Sequence, residues 1–171
     1  GCRQAAAAGR FVADKLVVDQ IFSSPMLRAQ HTAVIIAQGK PVQESLLLNE
    51  THSYYEGQPA TVLAGLKGDF YTGVPAEFEQ PAAIVNRLSE FIRKIRAAHA
   101  GQTIVAVSHG DPIAFLILSL KGEALLPANK FKLDQLGVPD GYPAHASLTL
   151  VEFISDDPIE IPAVTYHKPY E

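Results

Sequence analysis

Ile84, Leu88, Phe91, Ile92 and Ile95 recur at three- and four-residue intervals, and Arg87, Glu90, Arg93 and Lys94 lie largely off that stripe. The pattern predicts an amphipathic helix over residues 81–98. The run TIVAVS over 103–108 is instead continuously apolar at its centre, as expected of a strand covered on both faces. DPIAFLILSL, residues 111–120, predicts a strongly apolar helix directly after it. Near the start, residues 2–15 are rich in alanine and long side chains, which favour a helix. The apolar, β-branched stretch 17–23 predicts a strand. Ala29, Ala33, Ile36 and Ala37 then mark one face of a helix over 25–38, with Ser24 as its cap, Pro25 in its first position and Gly39 as its stop.

Weaker signals complete the pattern. A short strand is expected around 42–44. Residues 46–80 contain Gly57, Pro59, Gly65, Gly68, Gly73 and Pro75, which allow one short helix between loops. A further short helix is expected near 127–133, and strands near 147–154 and 159–165. Helix and strand alternate along the chain, which implies crossover units and an α/β fold. The expected architecture is a three-layer α/β/α sandwich, a mainly parallel sheet with helices on both faces. No repeat, low-complexity tract or linker interrupts it, so residues 1–171 are read as one domain.

Composition narrows the function. The net charge is −4 and no basic run occurs, so no nucleic-acid partner is expected. The longest apolar stretches are far too short for a membrane span, and no secretory signal is seen. The single cysteine, Cys2, excludes an intrachain disulfide and suits a reducing, cytoplasmic location. No Cys or His lies near it at ligand spacing, so neither metal nor cofactor is expected.

Candidate chemistry lies at two strand tips. Ser24-Pro-Met-Leu-Arg28 and Ser108-His109-Gly110-Asp111 each follow an apolar strand and open a helix. In open α/β sheets ligands bind at the carboxyl ends of strands. Arg28 supplies a planar, permanently charged fork matched to a phosphate, beside the free N–H groups of a helix start. His109 ends its strand, and Gly110 gives a ligand room to approach the backbone.

These two motifs, in this order, resemble those of the histidine phosphatase superfamily, the phosphoglycerate-mutase-like enzymes. SSPMLRAQHTA is similar to the family's arginine motif and VAVSHGDPI to its second histidine motif. PAHASLTL over 143–150 resembles the segment before the last core strand. GCRQA over 1–5 resembles the helix that follows the family's first motif. The resemblance implies Arg28 and Ser24 as phosphate contacts, and His109 as a stabiliser of the transferring phosphoryl group. His31 and His145 are weighed as further substrate contacts. Family members also carry an acid in a segment ending Glu-Gly, a place occupied here by LNETHSYYEG over 48–57. Glu50 is the preferred general acid, protonating the leaving alcohol, and Glu56 is the second candidate. His52 is placed near the pocket rim, and His99 and His167 are read as surface residues.

One family element has no match. The first motif, Arg-His-Gly, supplies the nucleophile that carries the phosphoryl group as a phosphohistidine. No Arg-His-Gly occurs among the 171 residues. That strand and turn, central to the family's sheet, are therefore expected upstream of Gly1, and these residues alone are expected to be inactive. The resemblance implies a phosphomonoester phosphatase acting on a small phosphorylated substrate. Alternatives are a mutase-type isomerase and a phosphate-binding pseudo-phosphatase. A homodimer through an open sheet edge is allowed. A metal hydrolase built on His109 and Asp111 lacks supporting spacing, and no G-x-S-x-G elbow is present.

Overall fold

The computed structural model describes residues 1–170. Helices α1 (Cys2–Lys15), α2 (Leu27–Ala37), α3 (Ala60–Gly65), α4 (Pro81–Ala98) and α5 (Gly110–Leu120) alternate with strands β1 (Gln20–Ser23), β2 (Gln43–Glu44) and β3 (Ile104–Val107). A closing hairpin joins β4 (Leu148–Glu152) and β5 (Ala163–His167). Single-turn 3₁₀ helices lie at Leu46–Leu48, Pro127–Phe131 and Leu133–Leu136.

β1 lies at the centre of a three-stranded sheet, parallel to β2 on one edge and to β3 on the other. Successive strand residues point to opposite faces. Ile21 packs with Val12 of α1 and Ala37 of α2, while Phe22 meets Phe91 of α4 edge-on at 5.6 Å. Two cores result. The larger joins Ile84, Leu88 and Phe91 of α4 to Phe115, Ile117 and Leu118 of α5. Helices therefore flank both faces of the sheet, as expected. α1 and α2 meet closely because their buried faces are small: Ala5, Ala8 and Gly9 on one, Ala29, Ala33 and Ala37 on the other. A Cβ on Gly9 would stand 3.2 Å from the Ile35 carbonyl.

The structure corrects several expectations. The first strand begins at Gln20 rather than 17: Val17 is 85% exposed, and Lys40 Nζ donates to the Val18 carbonyl at 2.6 Å. α2 starts two residues late, because the Ser24 hydroxyl is turned inward and accepts the Met26 N–H, which makes a turn of Pro25 and Met26. The last strand runs over Ala163–His167 rather than near 159–165. The preceding residues are held in turns by Arg96, which donates to the Ser155 and Asp157 carbonyls, and by Glu160, which accepts the Ile154 and Ser155 N–H groups. His99 and His167 are half-buried, packed against Phe22 and Phe11.

β3 also differs from its expected burial. Ile104, Val105 and Val107 are only half-buried and Ala106 is exposed. Among the described residues no strand pairs with the second edge of β3, and β4 and β5 form an antiparallel sheet of their own. Leu148 and Tyr166 of that hairpin nevertheless pack against the two cores.

Candidate active site

The chain leaves β1 through α2 on one face and reaches β3 through α4 on the other. The β1–β3 boundary is thus a point where crossovers diverge, the place where open α/β sheets build ligand sites. Here Ser23-Ser24, Asn49-Glu50 and Ser108-His109 converge.

Ser24 is fully buried and organises the centre. Its hydroxyl donates to Asn49 Oδ1 at 3.0 Å, accepts the Met26 N–H at 3.2 Å, and lies 2.9 Å from His109 Nε2. With its proton given to Asn49, the hydroxyl can only accept from His109. Nε2 therefore carries the ring proton, and Nδ1 is left as a lone pair. Burial, then the charges of Arg28 and Arg87, push the His109 pKa down to about 4, so the ring is neutral at pH 7.

Nδ1 lies 3.6 Å from Glu50 Oε2. The same oxygen takes an N–H from Arg28 at 3.3 Å, and Oε1 accepts the Thr51 N–H at 3.0 Å. Burial raises the pKa of Glu50 and the Asp111 charge adds to it, against the Thr51 hydrogen bond and Arg28. A carboxyl biased toward its protonated form suits a general acid. Arg28, in the first turn of α2, keeps 57% of its side chain exposed and faces solvent at the helix start.

The structure sorts the other candidates. Glu56 is exposed in a turn, hydrogen-bonded through its backbone to Ser53. His31 is exposed one turn beyond Arg28. His145 is exposed before β4, its carbonyl accepting the Tyr170 hydroxyl. His52 is exposed and stacked on Phe78. The room beside Gly110 is filled by Tyr142, so here the missing side chain accommodates a tyrosine.

Several residues around the site carried no signal in the sequence. Arg87 donates to Glu79 and to the Leu47 carbonyl, which fixes the turn before Asn49. Ser108 donates to the Leu48 carbonyl. Beneath the site Asp111 accepts hydrogen bonds from Tyr71 and Tyr142, both at 2.6 Å, and from Lys130 at 2.5 Å. A charged residue opening the apolar helix α5 was the one hint of that network. Among the described residues, no group of three or more His, Cys, Asp or Glu side chains is placed to hold a metal. Among the described residues, no helix is long and apolar enough to cross a membrane. An apolar cleft of about 220 Å³ between Ile117, Val138, Val164 and Tyr166 offers no convergent charged groups.

The histidine phosphatase superfamily (branch 1) profile matches residues 1–153. The chain belongs to this family. It is 31% identical over 116 residues to phosphoserine phosphatase 1 of Hydrogenobacter thermophilus, covering 61% of this chain and 55% of that protein. It is 28% identical over 113 residues to the adenosylcobalamin/alpha-ribazole phosphatase of Salmonella typhimurium, covering 60% and 56%. The chain thus spans little more than half the length of these curated relatives. YhfR of Bacillus stearothermophilus superposes with a TM-score of 0.74 at 23% identity, over 98% of this chain and 80% of that one. The fold is that of the phosphoglycerate-mutase-like histidine phosphatases.

Proposed function

We propose that this chain carries most of the active site of a phosphomonoester phosphatase. The observation that supports this is the meeting of Arg28, His109 and Glu50 at the β1–β3 strand tips, with a neutral imidazole and a carboxyl biased toward its proton. Arg28 holds the phosphate oxygens by charge-assisted hydrogen bonds. His109, held at Nε2 by Ser24, turns Nδ1 toward the site; once phosphate binding has protonated Nδ1, it donates to a phosphoryl oxygen and stabilises the group as it transfers. Glu50 gives its proton to the leaving alcohol oxygen as the P–O bond breaks. The phosphoryl acceptor is a histidine outside these 171 residues, and water later releases phosphate from it. Among the described residues Arg28 is the one arginine paired with Glu50, and the segment after it carries Tyr54, Tyr55, Phe70 and Phe78 in successive ring contacts. That balance favours a substrate with one phosphate and an apolar or neutral remainder.

The test is orthophosphate binding by calorimetry together with p-nitrophenyl phosphate turnover, both on the 171-residue chain. Orthophosphate binding that Arg28→Ala weakens, without turnover, is the expected result. Absence of orthophosphate binding overturns the phosphatase reading. Turnover abolished by His109→Ala overturns the placing of the nucleophile outside these residues.

A further inference from the structure

Lys130 is fully buried, which a lysine tolerates only with a partner. Its ammonium lies about 5 Å from the ring centres of Phe70, Tyr71 and Phe131, and donates to Asp111 Oδ2 at 2.5 Å. Asp111 is itself 8% exposed and sits in the first turn of α5, two residues after His109. Its carboxylate also takes the hydroxyls of Tyr71 and Tyr142.

This cluster is joined to the site. The Tyr71 hydroxyl lies 3.1 Å from Thr51 Oγ1, and the Thr51 N–H donates to Glu50. A series of hydrogen bonds, bridged by the side chain and backbone of Thr51, therefore links Lys130, Asp111 and Tyr71 to the carboxyl of Glu50. Charged and titratable groups face Glu50 from several elements. Arg28 comes from α2, His109 and Asp111 from the start of α5, Tyr71 from the segment before α4, and Tyr142 from the loop before β4. Arg28 favours the ionised carboxylate, and His109 is neutral. The tyrosine hydroxyls keep their protons, because burial and the Asp111 charge push both pKa values far up. Asp111 is left as the one anion in the set, and a buried anion near a carboxyl resists a second negative charge. The aromatic walls exclude water that would screen it.

We propose that the Asp111 carboxylate, fixed by Lys130 and the two tyrosine hydroxyls, adds to burial in favouring the protonated form of Glu50 and so acts as a positioning residue for the general acid. The proposal rests on reading Glu50 as that acid. It makes Lys130 a support of the chemistry although it touches no group of the pocket.

The experiment is a carbon-13 NMR titration of the side-chain carboxyls in the full chain, with orthophosphate affinity measured on the same samples. In the unmutated protein Glu50 is expected to titrate above the ordinary glutamate range. In Asp111→Asn its midpoint falls toward that range. A Glu50 midpoint that Asp111→Asn leaves in place overturns the proposal. So does an ordinary midpoint in the unmutated protein, which needs no variant to fold. Failure of orthophosphate to bind while the midpoints move as described sinks the phosphatase reading instead, so the two ideas fail separately.

Discussion

A Cβ on Gly110 would stand 2.3 Å from the hydroxyl of Tyr142. That hydroxyl is not free to give way, because it donates to Asp111 at 2.6 Å. Gly110→Ala is therefore expected to destabilise the protein by about 1–3 kcal/mol, the usual cost of overpacking. Replacing Tyr142 by valine opens the space, so Gly110→Ala should cost clearly less in Tyr142→Val than alone. A double-mutant cycle by urea denaturation measures the difference, and additive costs would show that the tyrosine is not the obstacle.

His109 makes stability depend on acid. The unfolded chain takes up this proton near pH 6.5, the folded chain only near pH 4. Above pH 6.5 neither state carries it and the contribution is complete. As pH falls toward 4 the unfolded state gains the proton first, and about 3 kcal/mol of stability is lost. Glu50 acts in the opposite sense: its raised pKa stabilises the fold below the ordinary glutamate value and loses that contribution as pH rises through the folded value. Unfolding free energies measured between pH 4 and 6.5 should fall with acid in the natural sequence. In His109→Asn that decline should vanish or reverse.

Much of this site was legible in the sequence, for a simple reason. Arg28 and His109 follow apolar runs that end at helix starts, so their places just beyond two strand ends came from those runs, and their roles from the family resemblance. α1 and α4 match their expected ranges, because strong helix formers or a regular apolar stripe define them. Glu50 was harder, since it stands in a glycine- and proline-rich segment without a period. Lys130 was invisible: a lysine in PANKF reads as solvated, and only the rings of Phe70, Tyr71 and Phe131, brought from distant segments, make it a core residue. The half-exposure of β3 was missed for a similar reason, because a continuous apolar run reports a strand's preference and not what covers it.

Phosphate binding should draw a proton onto His109. Nδ1 presents a lone pair to the site, which repels a phosphate oxygen until it is protonated. A bound dianion offsets Arg28, one of the charges that depress the ring's pKa. At pH 7 orthophosphate binding is expected to take up about one proton per site from buffer. Calorimetry in buffers of different ionisation enthalpy reads this directly. The uptake should be lost in His109→Asn, and uptake that persists there would assign the proton to another group.

The open edge of β3 carries a consequence for self-association. Its residues pair with β1 on one side, and among the described residues no strand lies on the other. Half-buried Ile104, Val105 and Val107 line that edge, and among the described residues β4 is likewise paired only with β5. A free edge flanked by apolar side chains is a template for another chain. The 171-residue protein is therefore expected to associate as its concentration rises. Ala106 is exposed in the middle of β3, so a lysine there costs little burial and places a charge on the edge. Ala106→Lys should shift the light-scattering onset to higher concentration and leave far-UV circular dichroism unchanged. An onset that does not move would place the association elsewhere, with Ile154, Ile159 and Ile161, each more than 80% exposed near the hairpin turn, as the next surface to charge.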